Sequence, residues 1–343
     1  MTTTAASPGA TTARAVAFVA ARRESAEELG GRLAEFVGDP EAFATELRRG
    51  MQGLADPDYI AGLEFVAPGI GDVLGVRWPL NAAVGRGFRA ATRRDSPAQL
   101  LFVADRLFRE RPLEIRWFAF GLLDRLLPAE PERSWQLLRR AAREAADWIT
   151  VDSLAHPYAR GILLEPYRWA ELEQLVFSPS RWERRLVGST LATMPFVDRR
   201  NGRLPEVAER GLRLIADLLG DDEPDVQKAL AWALRSLALV DLAAAEAFCR
   251  REAATAVDSA DGNRAWVIRD ALAKLTPATA DELRERLAGI RRRQGTGSTS
   301  RAAQIAGRFG SIHLGGHIDE PPLTPPTAAD MTTNRSDHRS NDA

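Results

Sequence analysis

Cysteine occurs once in the 343 residues, as Cys249. That excludes an intrachain disulfide and any cysteine-built metal cluster. Histidine is nearly as scarce. Of the four, His313, His317 and His338 fall in a C-terminal tail, leaving His156 alone in the region that reads as folded. A zinc site is therefore not expected, nor any other metal or cofactor. Lysine is almost missing too: Lys228 and Lys274 are the only two, and the remaining basic residues are arginines, whose forked donors suit phosphate. No apolar run approaches the ~20 residues that span a bilayer. The opening MTTTAASPGATTARAVAFVAARR lacks acids, but its apolar piece is short and flanked by arginines. A frayed end leading into a helix fits it better than a targeting peptide, so a cytoplasmic protein is expected. The formal net charge of −1 rules out a polycation. Any nucleic-acid surface must be a local basic face, with the acids segregated elsewhere.

Strand signals are lacking as well, and what replaces them is helical periodicity. In WAELEQLVF, Trp169, Leu172, Leu175 and Val176 share a stripe; in EVAERGLRLIADLLG, Val207, Gly211, Leu214, Ile215 and Leu218 do so, with Gly220 placed as a C-cap. Prolines punctuate the chain at 97, 112, 128, 131, 157, 166, 179, 205, 224 and 277, several in helix first turns, as in SPAQLL, SPSRWERR and EPDVQKAL. The fold class is all-α. The segments PLEIRWFAFGLL, PSRWERRLVGSTLA, EPDVQKALAWALRSLA and NRAWVIRDALAKL each carry a basic residue ahead of a small, apolar helix. Aligning Arg116, Arg185, Lys228 and Arg269 gives gaps of about 69, 43 and 41 residues. The first gap is close to two units, and DWITVDSLA lies in its middle. Helix pairs at this period indicate an α-solenoid of HEAT-like antiparallel pairs, whose second helices line a concave groove. Asp152, Arg185, Lys228 and Arg269 are expected to border that groove. The expected organisation is a disordered N-terminus over 1–12, a solenoid over 13–293, and a mostly disordered tail over 294–343 with a short helix near Arg301 to Arg308. A monomer is the default for such a solenoid.

Within DWITVDSLA, four residues at 3.6 per turn put Trp148 and Asp152 on one helix face, an indole beside a carboxylate. Each alone has an ordinary reading, a core tryptophan and a solvated or capping aspartate; together they suit a cation. Trp117, Trp169, Trp182 and Trp266 read as packing between repeats, and His156 as a helix-end or loop residue. Arg181, Arg184, Arg185, Arg199, Arg200 and Arg203 cluster in sequence, and Arg291 to Arg293 add a further run.

WITVDSLA, SPSRWERRLVGSTL and PDVQKALAWALRSLA, in that order and spacing, resemble the DNA alkylation repair family of HEAT-like repeat proteins, the AlkD type. The resemblance covers roughly residues 40 to 285. Where that family often carries a second aromatic and an acid after the tryptophan, this chain has Ile149 and Thr150. The resemblance implies a monofunctional DNA glycosylase that releases N3- or N7-alkylated purines from double-stranded DNA. It implies Asp152 as the catalytic carboxylate, Trp148 and Trp232 as aromatic walls, and Arg185 as a phosphate contact; Arg184, Lys228 and Arg269 join it as DNA-binding candidates. It also implies a nucleoid-associated, bacterial setting. Two other readings stay open on the same residues: a non-catalytic binder of branched or distorted DNA, and a HEAT scaffold for proteins.

Overall fold

The computed structural model describes residues 8–293 and 295–308. Among these there are sixteen α-helices, three short 3-10 turns and no strand. The helices are α1 Pro8–Leu33, α2 Pro40–Gly53, α3 Pro57–Val66, α4 Trp78–Ala91, α5 Pro97–Leu107, α6 Leu113–Leu126, α7 Pro131–Glu144 and α8 Trp148–Leu164. They continue with α9 Trp169–Leu175, α10 Arg181–Val197, α11 Pro205–Leu218, α12 Pro224–Leu237, α13 Leu242–Asp258, α14 Gly262–Ala271, α15 Pro277–Arg286 and α16 Arg301–Arg308. No described helix is long and apolar enough to cross a membrane.

The punctuation works as local chemistry dictates. Proline opens α5, α7, α11, α12 and α15, where its missing N–H costs nothing and its fixed φ suits a first turn. Asp147 caps α8, its carboxylate accepting the Thr150 N–H at 2.8 Å and the Thr150 hydroxyl at 2.6 Å. Pro157 behaves differently from the breaker its position suggests: α8 runs straight through it. The ring removes the helical bond to the Ser153 carbonyl. Leu154, Ala155, Tyr158 and Ala159 around it are buried, and that packing offsets the loss.

Successive pairs, α5/α6, α7/α8, α9/α10, α11/α12 and α13/α14, stack side by side. Their second helices, with α4 ahead of them, make one continuous row, α4, α6, α8, α10, α12 and α14, each packed on the next. That row is the repeat expected from the sequence, with α8 as the unit midway between Arg116 and Arg185. Its core is one apolar cluster running from Ala26 to Ala302. Within the row α10 and α12 approach closely at Gly188. A Cβ added to Gly188 would lie 2.7 Å from the Ala229 carbonyl carbon and 3.0 Å from its oxygen. Gly188→Ala is therefore expected to cost about 2 kcal/mol by overpacking and to push α12, with Trp232, away from α8. A chemical melt and Trp232-dependent fluorescence would check this, and wild-type behaviour in both would refute it.

The packing extends past the expected end of the solenoid at 293. The Thr299 N–H donates to the Gly220 carbonyl at 2.9 Å, and Arg301 on α16 reaches Asp217 on α11 at 3.2 Å. Helix α1 likewise begins at Pro8, inside the stretch 1–12. The tail from 309 onward, with its three histidines, lies outside the described residues.

Candidate active site

One cavity of about 560 Å³ opens on the inner row. Trp78 on α4 and Trp232 on α12 both line it although α6, α8 and α10 intervene, so the row curves around it. Trp148 and Asp152 line it from α8, one turn apart, as their spacing requires. Trp148, Asp152 and Trp232, separated by up to 84 residues in sequence, thus meet at one place.

Asp152 is held firmly. Arg185 on α10 grips it with both arms of the guanidinium, Nε donating to Oδ1 at 3.1 Å and Nη2 to Oδ2 at 2.8 Å. The buried Ser189 hydroxyl, one turn on, donates to Oδ1 at 2.6 Å. A carboxylate offers about four lone-pair sites; three are taken, and one on Oδ2 is open. Arg185 is 5 % exposed, and its Nη1 donates to the Asp225 carbonyl at 2.6 Å. Its guanidinium carbon also lies 5.8 Å from the centre of the Trp148 ring. The structure therefore places Arg185 behind the carboxylate, where it orients Asp152, rather than in the open groove as a free phosphate donor.

The other basic candidates separate. Lys228 is exposed on α12, one turn before Trp232. Arg269 on α14 donates to the Leu287 carbonyl at 3.0 Å, and burial and then the nearby Arg291 lower its pKa. Arg184, adjacent to Arg185 in sequence, points elsewhere. It donates to Asp221 at 2.7 Å and to the carbonyls of Ser178 and Pro179, and it borders a different cavity, beside α16. The arginine run around α10 is split as well: Arg181 to Arg185 start the helix and Arg199 to Arg203 follow its end, roughly 25 Å apart at 1.5 Å per residue. Cys249 is buried on α13, its thiol pKa pushed up to about 12 by burial, so it offers no nucleophile.

Several lining residues went unread in the sequence. Trp117 is not merely packing: it is buried but lines the cavity, with the exposed Trp78 set edge-on against it at 5.3 Å and 90°. Phe120 and Asp124 lie with it at positions i, i+3 and i+7 of one α6 face, a signal the sequence contained. Asp124 accepts from Arg160 at 2.6 Å. His156 is in the middle of α8, not at its end, and lines the same cavity. Solvent reaches it, yet the cavity walls lower its pKa by desolvation, against the opposing pull of Asp124 and Asp152. The surface offered to a ligand is thus aromatic and carboxylate-bearing, while the arginines partnering those carboxylates stay outside the lining.

Residues 47–275 match the DNA alkylation repair enzyme family. The chain belongs to that family. The matched stretch contains Trp148, Asp152, Arg185, Lys228, Trp232 and Arg269; it omits α1, α15 and α16. No individually curated protein matches the chain. Membership implies DNA binding and a part in the repair of alkylation damage. Among the described residues no group of three His, Cys, Asp or Glu side chains could hold a metal ion.

Proposed function

We propose that this protein is a monofunctional glycosylase that hydrolyses the N-glycosidic bond of cationic N3- or N7-alkylated purines in duplex DNA. What carries the reading is Asp152, fixed by Arg185 and Ser189 with one lone pair open, in a cavity walled by Trp148 and Trp232. A sparse site is enough for this chemistry. An alkylated N3 or N7 already gives the purine a positive charge, so it leaves without a proton donor. Ordinary glycosidases need a second carboxyl group for that.

As the bond breaks, its electrons pass to the purine and positive charge grows on the deoxyribose. A carboxylate already held in place favours that state over the ground state and needs no reorganisation. Water adds to C1′, and the open lone pair on Oδ2 takes the proton. The indoles of Trp148 and Trp232 each add about 0.5–2 kcal/mol of cation–π attraction. Among the described residues no lysine lines the cavity, so none of their amines stands at the sugar to form a Schiff base.

The test is release of free base from methylated duplex by the purified chain, with borohydride trapping alongside. Release of 3-methyladenine or 7-methylguanine without a trapped adduct supports the proposal. Tight binding to a branched duplex with no release from well-folded protein would turn it toward the non-catalytic DNA binder.

His156 adds a pH dependence. Its folded-state pKa lies below 6.5, so the unfolded chain takes up the proton first as pH falls. The neutral ring's contribution to stability is therefore complete above about 6.5 and is lost as pH falls through that value toward the folded pKa. The same protonation puts a cation beside a site meant for one. His156→Gln is expected to flatten the fall in both stability and base release between about pH 7 and 5. Superimposable pH profiles for the variant and wild type would refute it.

A further inference from the structure

Beside the aromatic cavity is a second hollow of about 270 Å³ that shares Trp78, Trp117 and Gly121 with it. The two are opposite in charge. Asp124 and Asp152 line the first, whereas the charged residues lining the second are all arginines: Arg86, Arg89 and Arg125. Arg86 is already paired, donating to Glu27 at 2.8 and 3.2 Å. The other two are not. Arg125 spends Nη1 and Nη2 on the Thr92 hydroxyl and carbonyl, at 2.7 and 2.6 Å, neutral acceptors that leave its charge in place. Arg89 has no hydrogen bond or ion pair among the described residues. Burial and the charge of Arg89 both lower the pKa of Arg125, and Asp95 offsets them only in part.

Two cations brought together without a carboxylate between them repel, and an anion seated there would relieve both. The shared wall indicates which anion. Every sugar in a DNA strand is flanked by phosphodiesters, so a strand with its alkylated nucleotide over Asp152 must carry phosphates on past Trp78. Trp78 is 54 % exposed and offers an apolar face at the crossing point. The geometry points to this hollow as a phosphodiester-binding subsite for the strand that carries the lesion, with Arg89 and Arg125 as donors and Trp78 as its lip. The inference rests on the DNA-repair reading above but not on catalysis.

Binding measurements test it. The full chain would be titrated onto a duplex of about 15 base pairs with a tetrahydrofuran abasic site, between about 50 and 300 mM salt. Arg89→Gln should weaken binding about fivefold at 100 mM salt and make the log–log salt slope shallower by about 0.9, with the melting profile unchanged. Arg213→Gln, on the outer helix α11 and largely exposed, is the control and should change neither. A single methylphosphonate linkage next to the abasic site should weaken the wild type by a similar factor and Arg89→Gln hardly at all. An Arg89 variant with wild-type affinity and slope overturns the inference. So does a variant that loses only a measurable affinity for inorganic phosphate, which would make the hollow a small-anion site. If Arg89 and the linkage prove coupled but no base is ever released, the subsite stands and the glycosylase proposal falls.

Discussion

Replacing Asp152 with asparagine is expected to slow base release about a hundredfold, some 2.7 kcal/mol of transition-state stabilisation, while binding to DNA stays within about threefold. The asymmetry follows from when the charge is needed. In the bound duplex the positive charge is spread over a purine ring; only as the bond breaks does it settle on the sugar beside Oδ2. Asparagine is the right substitution because it keeps the shape and one oxygen acceptor. Alanine would leave the buried Arg185 with the carbonyl of Asp225 and that residue's carboxylate at 3.8 Å as its remaining partners. Leaving a buried charge without its main partner typically costs about 3–5 kcal/mol, so a lost activity could then reflect lost fold. Single-turnover release of 7-methylguanine, read beside a thermal melt, separates the two. A drop of less than about threefold in well-folded Asp152→Asn would leave the hydrolase reading without its carboxylate.

The largest effect on stability is expected at a residue outside the cavity lining. Glu114, on α6, is fully buried, and its carboxylate accepts three consecutive backbone N–H groups of the loop ahead of α4. These come from Leu74 at 2.9 Å, Gly75 at 2.7 Å and Val76 at 3.0 Å. The Leu113 N–H returns a bond to the Asp72 carbonyl at 2.9 Å, and the Asn81 side chain donates to the Glu114 carbonyl at 2.6 Å. Two residues after this loop α4 begins, with Trp78 in its first position. Glu114→Ala would strip the loop of its acceptor in a site where each unpaired N–H costs about 1–3 kcal/mol. Partial relaxation lowers the total to about 3 kcal/mol, with Trp78 freed from its edge-on contact with Trp117. Glu114→Gln, which keeps one acceptor oxygen, should fall between. The measurement is a melt of both variants with hydrogen exchange at 74–76. If Glu114→Ala melts with wild type, the carboxylate is not what holds the loop.

How far the sequence could be read follows from the range of the interactions. Helix starts were legible because they are local: proline at the first position and aspartate at the cap act over three or four residues. The pairing of helices was legible because stacking repeats itself, and Trp148 with Asp152 because one turn of helix brings them together. Arg184 and Arg185 mark where this stops. Neighbours on a helix point about 100° apart, so one guanidinium meets Asp152 and the other Asp221. Sequence alone does not say which, since one partner lies on α8 and the other in the loop between α11 and α12, both more than 30 residues away. The Glu114 latch leaves even less trace. A carboxylate that binds backbone N–H groups about 40 residues away asks nothing of the side chains it holds. Pro157 shows a local rule overruled by burial.

The segment after α15 has a consequence for how the molecule comes apart. A solenoid built only of neighbouring contacts can fray from its last pair inward, each repeat lost at the cost of one interface. Here the chain doubles back. Arg292 donates to Gln227 on α12 at 2.8 Å, Thr299 bonds Asp261 at the head of α14, and Arg301 reaches α11. The backbone at Arg291 and Arg292 comes so near Gly262 that a Cβ there would lie 2.1 Å from the Arg291 oxygen. One thread is thus sewn through two consecutive pairs, and neither can peel away without unpicking it. The end that frays most readily in an open stack is tied off, and the two last pairs, which carry Trp232 and Arg269, open together or not at all.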